Sequence, residues 1–536
     1  MSRDRSRDRY PGRSARAGTW STLRGPVLRR PAGARVCSRR PGAGTSASTP
    51  GLVRAHPGPS NCVDASQDWS HVESRWAHCP AARIWARRLR RKCEVGLDIT
   101  SHYSGTGTAE VALAMIAGDS MVSYAACDTN AICRDVLLHH PPASAPQHVF
   151  SDLCERPPGE VMERLRERLK KVQVQAGVAP AAPGSDSAST PVSASACAGL
   201  GRRWVREAMA ILATWTPTRE DTGACVRHDG CQCRIFPPRT SRYHVEVSGV
   251  NCQPWSAAGK RHGWLDDRSL PCLILVRTIL CIQPNGVCIE CTPNFDVEML
   301  ETLLGGAYVG AHAITCPSNF GVPVFRRRLY MWFDLKSSLD EVHMDMTSLL
   351  VASGRRVVMS PECYVTATTQ ARRAYYQQLW SQQHGGDEPL PTGSVLRRLT
   401  SKTMSPLPRL DQFLWGSSLQ RYHDHRAQPY TQDLTSSQCV VVDISQNVGY
   451  RRPARHMVPT LMKSTNLIVL FKDAAQDFLF TPSELAAIHG LDISPAVLRR
   501  LTVSQVRGLV GNSMHVAQIG AFVQFAFAAR TWSNDQ

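Results

Sequence analysis

The chain has 536 residues, 43% of them hydrophobic and 20% charged, with a formal net charge of +18. That length predicts more than one domain. No apolar run is long enough for a membrane-spanning helix, and the basic start lacks the apolar stretch of a signal peptide, so neither a membrane partner nor a secretory route is expected.

Residues 1–92 hold 20 Lys/Arg against 5 Asp/Glu, so most of the positive excess sits there. This stretch is rich in Arg, Ser, Gly, Pro and Ala without sustained periodicity, and it is expected to be a disordered arm suited to a polyanion. An Arg- and Ser-rich start also resembles an organelle transit peptide, against which Asp4 and Asp8 argue. Order is expected from Glu94. The run from Glu94 to Tyr103 reads as a strand entering the glycine turn Ser104-Gly105-Thr106-Gly107-Thr108, and residues 109–117 read as a helix. A second strand, Met121 to Cys127, ends at Asp128. A third, His148 to Phe150, leads to Asp152. Strand, turn, helix and strand repeated in this way predict a doubly wound, mostly parallel α/β sheet.

Residues 159–172 read as an amphipathic helix with Val161, Leu165 and Leu169 on one face. They lie in a stretch, 156–240, that reads as a flexible insertion, its Ala/Ser/Pro/Gly-rich part at 175–201. The insertion carries Cys225, His228, Cys231 and Cys233, whose tight, irregular spacing fits either a zinc site or a plain loop. The 19 cysteines otherwise read as reduced thiols. Strands resume at Tyr243–Ser248, Gly286–Glu290 and Leu329–Asp334. Residues 336–440 are weakly patterned, and strand–helix alternation returns from Asp443 to Ala529. A catalytic body over 93–335, a variable region over 336–440 and a returning C-terminal part over 441–530 are therefore expected.

Three polar strand ends carry the first chemistry. A glycine turn between strand and helix lets backbone approach a nucleotide-like ligand, although such turns also simply close a corner. Asp128 and Asp152, at the ends of the next two strands, suit ribose hydroxyls and an adenine amino group. After the strand at 243–248 comes Ser248-Gly-Val-Asn-Cys252-Gln-Pro-Trp-Ser256. A cysteine on such a turn is either a nucleophile exposed to a cleft or a buried thiol beside a proline turn.

These segments, in this order, resemble the motifs of cytosine C5 methyltransferases. Tyr103 to Gly107 resembles the cofactor turn, Ala126-Cys-Asp128 and Val149-Phe-Ser-Asp152 the next cofactor motifs, and Asn251-Cys252-Gln253 the catalytic loop. Asp266-Asp-Arg-Ser-Leu270 is similar to the helix start after that loop. Gly286-Val-Cys-Ile-Glu290 is similar to the glutamate strand, and Phe320-Gly-Val-Pro323 with Arg326 and Arg328 to the arginine strand. Val458 to Leu461, Thr481 to Glu484 with His489-Gly490, and Gly511-Asn512-Ser513-Met514 resemble the closing motifs.

The resemblance implies a class I methyltransferase, Rossmann-like fold with an inserted target-recognition region. It implies S-adenosylmethionine held by Tyr103, Gly105, Gly107, Asp128, Asp152, Asn512 and Ser513. It further implies methylation of cytosine in DNA, with Cys252 as the nucleophile toward C6 of a flipped-out base, Glu290 at N3, and Arg328 with Arg326 at the base oxygen or the glutamate. The expected compartment is the nucleus. Transfer RNA is the alternative substrate, and a degenerate DNA-binding module or an unrelated nucleotide-binding enzyme are the alternatives of class. The sequence departs from the family at Asn251, Cys291-Thr292, Val324, Thr108 and Asp128, where Pro, Asn-Val, Gln, Gly and Glu are usual. The loop-bracing amide is thus expected to be missing.

Overall fold

The computed structural model describes residues 80–178, 194–256, 259, 261–342, 357, 360–384, 407–436, 438–449 and 456–532. Residues 1–79 of the expected arm, 179–193 of the expected insertion, and 343–356 and 385–406 of the variable region lie outside them. Among the described residues no helix is long and apolar enough to cross a membrane.

The central sheet has seven strands: β1 (Leu97–His102), β2 (Met121–Cys127), β3 (His148–Phe150), β4 (Tyr243–Gly249), β5 (Gly286–Cys291), β6 (Tyr308–Thr315) and β7 (Arg328–Leu335). Their order is β3-β2-β1-β4-β5-β7-β6. β1 to β5 pair in parallel, and β7 runs antiparallel to both β5 and β6. The chain turns outward from β1 in both directions, so this is the doubly wound, class I methyltransferase arrangement, with its ligand crevice where the order reverses, between β1 and β4. β1 and β5 are buried along their whole length, as expected of parallel strands covered on both faces.

Glu94 and Val95 belong to a helix, Pro80–Val95, and not to β1. Residues 80–92 of the stretch expected to be a disordered arm are thus helical. The helix is held to the C-terminus because the Lys92 ammonium, buried, donates to the carbonyls of Phe527 (3.0 Å) and Arg530 (2.6 Å). The expectation of a flexible insertion over 156–240 is also corrected. Helices Gly159–Gln175 and Ala194–Leu212 fall within it, and Leu165, Leu169, Trp204, Val205 and Leu212 bury in the same core as Leu273 to Val276. The 3.6-residue spacing of those apolar positions gives each helix one face to bury.

β6 lies outside the expected strands: Tyr308–Thr315 is an edge strand with alternately exposed residues and no continuous apolar run. A separate three-stranded antiparallel sheet is formed by Cys439–Asp443, Leu467–Phe471 and Phe478–Leu479. The boundary expected at 440/441 thus falls inside a strand, and backbone pairing ties the two sides of that boundary into one sheet. Tyr376 stacks on Phe413 at 4.8 Å, and the Arg372 guanidinium lies over Phe478 while pairing with buried Glu484 at 2.7 Å. The C-terminal helix Val516–Ala529 returns to the body, packing against helix Thr108–Ala117 and helix Pro80–Val95.

Candidate active site

The turn after β1 takes an uncommon backbone path. Tyr103 (φ 54°), Gly105 (φ 57°) and Gly107 (φ 74°) all lie in the left-handed region, which glycine enters freely and tyrosine does not. A Cβ on Gly105 would meet nothing within 4 Å, so there is open space over the turn, whereas one on Gly107 would strike His140. The Asp128 carboxylate closes the turn: it accepts from the Gly105 N–H (2.8 Å) and the Asn130 N–H (2.9 Å). Asp152 accepts from the Cys154 N–H at 2.8 Å. Ser513 is tied to the same turn through its hydroxyl contact with Thr106 (2.7 Å). Asn512 next to it is exposed. Tyr103, Gly105, Asp128, Asp152 and Ser513 are thus gathered at the carboxyl ends of β1, β2 and β3. A cavity of about 280 Å³ lies behind the turn, lined by Thr106, Val111, Met115, His140, Leu491 and Val497 among others, and touches none of the residues expected to hold a cofactor.

Beneath the turn lies a buried polar chain that the sequence did not reveal. Glu246 on β4 accepts from Thr100 (2.5 Å) and Ser248 (2.6 Å) and pairs with His102 Nδ1 at 2.6 Å; Thr100 also contacts His244 Nε2 at 2.9 Å. The two strands are in register, so these side chains alternate onto one face. Burial holds His102 below its ordinary pKa despite the neighbouring Glu246.

The second group gathers at the ends of β4, β5 and β7. Gly249, the last residue of β4, is the meeting point: its Cβ position is 3.5 Å from the Tyr103 carbonyl, 3.6 Å from Glu290 Oε2 and 3.8 Å from Met514 Cε. Cys252 comes three residues later and is half-buried, and its carbonyl accepts from the Trp255 (3.1 Å) and Ser256 (2.9 Å) N–H groups. Trp255 anchors this turn among Trp264 and Phe295, with ring centroids 5.3 and 4.6 Å away. Arg268 spans from Asp266 (Nε–Oδ1 2.7 Å) to the Gln253 side chain and so grips the loop from a second side. The loop is also braced from the β5 end. Asn294 donates to the Trp255 carbonyl (3.4 Å), and the Cys291 thiol reaches the Val250 carbonyl (3.9 Å). Asn294 and Cys291 therefore supply contacts where the missing amide left none expected.

Glu290 is buried at the end of β5 and pairs with Arg328 Nε at 3.1 Å. Burial raises its pKa, with Arg328 and then Arg326 opposing the rise. Arg326 is only 2% exposed. Its Nη groups donate to the carbonyls of Ser513 (2.6 Å) and Leu461 (3.0 Å), fastening the C-terminal segment to β7. Burial and the neighbouring Arg328 lower its pKa to about 10. Val324, where a glutamine is usual, is fully buried and bridges to Val458.

Of the zinc candidates, Cys225, His228 and Cys233 come together and Cys231 does not; the fourth member of the cluster is His148 on β3. Local spacing carries no signal for His148, which lies far away in the chain.

No family model matches this chain, and no curated protein matches it in sequence. Solved structures do. The Entamoeba histolytica methyltransferase EhMeth is 13% identical with a TM-score of 0.38, over 81% of this chain and 98% of that one. The S. pombe Dnmt2 methyltransferase is 13% identical with a TM-score of 0.39, over 80% and 97%. A DNMT2 variant from Spodoptera frugiperda is 13% identical with a TM-score of 0.35, over 81% and 100%. The fold assignment rests on strand order and pairing, not on these likenesses.

Proposed function

We propose that this chain transfers a methyl group from S-adenosylmethionine to C5 of cytosine in DNA. The observation that carries the reading is the meeting, around Gly249, of the Tyr103 turn and the Glu290–Arg328 pair, with Cys252 on the adjoining loop. The cofactor fits the residues present. Among the described residues there is open space over Gly105 and the Tyr103 hydroxyl is buried without a hydrogen-bond partner, and Asp128 and Asp152 follow the next two strands. Tyr103, Gly105, Gly107, Asp128, Asp152, Asn512 and Ser513 would hold S-adenosylmethionine, which supplies the methyl group.

The chain's own groups do the rest. The Cys252 thiolate adds to C6 of a cytosine turned out of the duplex, while the Glu290 carboxyl gives its proton to N3 and takes up the electron demand. C5 thereby becomes nucleophilic. Once C5 carries the methyl group, its proton leaves to water, the C6–sulfur bond breaks to return the Cys252 thiolate, and the N3 proton goes back to Glu290. Arg328 steadies the carboxylate that Glu290 becomes, and Arg268 with Trp255 holds the loop in place. Arg326 acts at one remove, by fixing Ser513 against the glycine turn.

Methyl transfer from labelled S-adenosylmethionine to duplex DNA and to transfer RNA, with wild type and Cys252→Ala, tests the proposal. Label in DNA that disappears in the variant is the expected result. Label in transfer RNA alone would replace the substrate. No label in either polymer, from folded protein that binds the cofactor, would leave a degenerate binding module.

A further inference from the structure

We propose that His148, Cys225, His228 and Cys233 form a tetrahedral zinc site that fastens the insertion hairpin to the edge of the central sheet. Their four ligand atoms all lie within 4.8 Å of one another. Cys233 Sγ is 3.3 Å from His228 Nδ1, and Cys225 Sγ is 3.9 Å from His148 Nδ1. Zinc bonds of about 2.3 Å to sulfur and about 2.0–2.1 Å to nitrogen place tetrahedral ligands roughly 3.3–3.8 Å apart, so a small inward movement closes the set.

The backbone is shaped for such a site. Cys225 opens a tight turn in which its carbonyl accepts from the His228 (3.2 Å) and Gly230 (2.8 Å) N–H groups, with Asp229 and Gly230 at positive φ. This curls His228 back beside Cys225, while the returning strand brings Cys233. The Val149 N–H points at Cys225 Sγ at 3.4 Å, the kind of donor that stabilises a metal-bound thiolate. The His148 and His228 rings meet edge-on with centroids 5.1 Å apart.

The hairpin needs a fastening. Its strands, Thr222–Ala224 and Gln232–Arg234, have three residues each and are largely exposed, and so short a two-stranded unit has little stability of its own. Two cysteines and two histidines make a closed set without an open position, which is the pattern of a structural zinc ion and not a catalytic one. The site stands apart from Cys252, and its existence does not depend on the activity proposed above.

Metal analysis of the full-length protein, expressed with zinc and dialysed extensively, is the test. One zinc per chain is expected in the wild type and in Cys231→Ser, with loss in Cys233→Ser and His148→Ala. Cobalt added to chelator-stripped wild type is expected to give the visible bands of a tetrahedral thiolate–imidazole site, and zinc is expected to raise the melting temperature of the stripped protein. Because the wild type and Cys231→Ser keep all four ligands, their metal content is informative even where a ligand variant misfolds. Folded wild type that holds no zinc after exposure to it would overturn the proposal. So would a Cys225–Cys233 disulfide in the purified chain, or zinc kept by His148→Ala and lost by Cys231→Ser.

Discussion

Glu290 shows how one carboxyl can be set up to give a proton. Burial favours its neutral form, while Arg328 at 3.1 Å keeps it from rising further. In the proposed mechanism Glu290 donates to N3 only while protonated, so the rate is expected to fall as pH rises through the Glu290 pKa. Arg328→Ala removes a cation and is expected to move that falling limb to higher pH while lowering kcat, which a pH–rate profile reads directly. Glu290→Gln keeps a hydrogen bond but has no proton to give, and a loss of about 10²–10⁴ in kcat is expected with DNA binding retained. Glu110 provides a test that needs no activity. Buried beside Ser101, it is raised from 4.5 to about 7, chiefly by desolvation. The folded state therefore holds a proton that the unfolded chain releases, so its contribution to stability is full at low pH and is lost as pH rises from about 4.5 through about 7. Glu110→Gln is expected to flatten the fall in melting temperature across that window.

Among the elements, the C-terminal segment acts as a clamp on the glycine turn after β1. Ser513 bonds Thr106, Arg326 bonds the Ser513 carbonyl, and Gly511 lies so close to the Met462–Lys463 backbone that a Cβ there would be 2.4 Å from its atoms. Gly511→Ala is expected to cost about 1–3 kcal/mol, seen as a lower urea midpoint at unchanged m-value. Beside the three-stranded sheet, Arg372→Ala would remove the counter-charge of buried Glu484, which keeps the Thr366, Ala367 and Thr481 N–H donors, and is expected to cost about 3 kcal/mol. The parallel strands are legible in sequence because they are short, rich in apolar and β-branched residues and bounded by glycine or aspartate, although β1 and β4 also carry buried Thr100, His102, His244 and Glu246. β6 is not, because an edge strand with one wet face and small residues lacks that signature. The helix ahead of β1 is hidden for a related reason: its arginines look like a disordered arm, and its packing rests on long-range contacts, the bonds of Lys92 and the burial of Leu89 against the C-terminal helix among them.

Across the whole molecule, Tyr103, Asp128, Asp152 and Cys252 follow strands, Glu290 lies near the carboxyl end of β5 and Arg328 opens β7, so the site residues expected from sequence cluster at strand ends, where this fold exposes chemistry. Contacts between segments distant in sequence, such as Arg326 to Ser513 or His148 to Cys225, have no local signal. Residues 1–79 carry 14 Lys/Arg against 5 Asp/Glu, and phosphate binding by such a segment releases counterions. A chain beginning at Pro80 is expected to bind duplex DNA more weakly and with a shallower dependence on salt, as measured by titration over a range of salt concentrations. The proposed reaction requires Cys252 to bond covalently to the base. The most direct test is incubation with S-adenosylmethionine and a duplex carrying 5-fluorocytosine at the target position, because fluorine cannot leave C5 as the proton does and the adduct is trapped. A protein–DNA band that survives denaturation, formed by the wild type and absent in Cys252→Ala, is the predicted result. Methyl transfer without any such band, or a band of equal strength in Cys252→Ala, would contradict it.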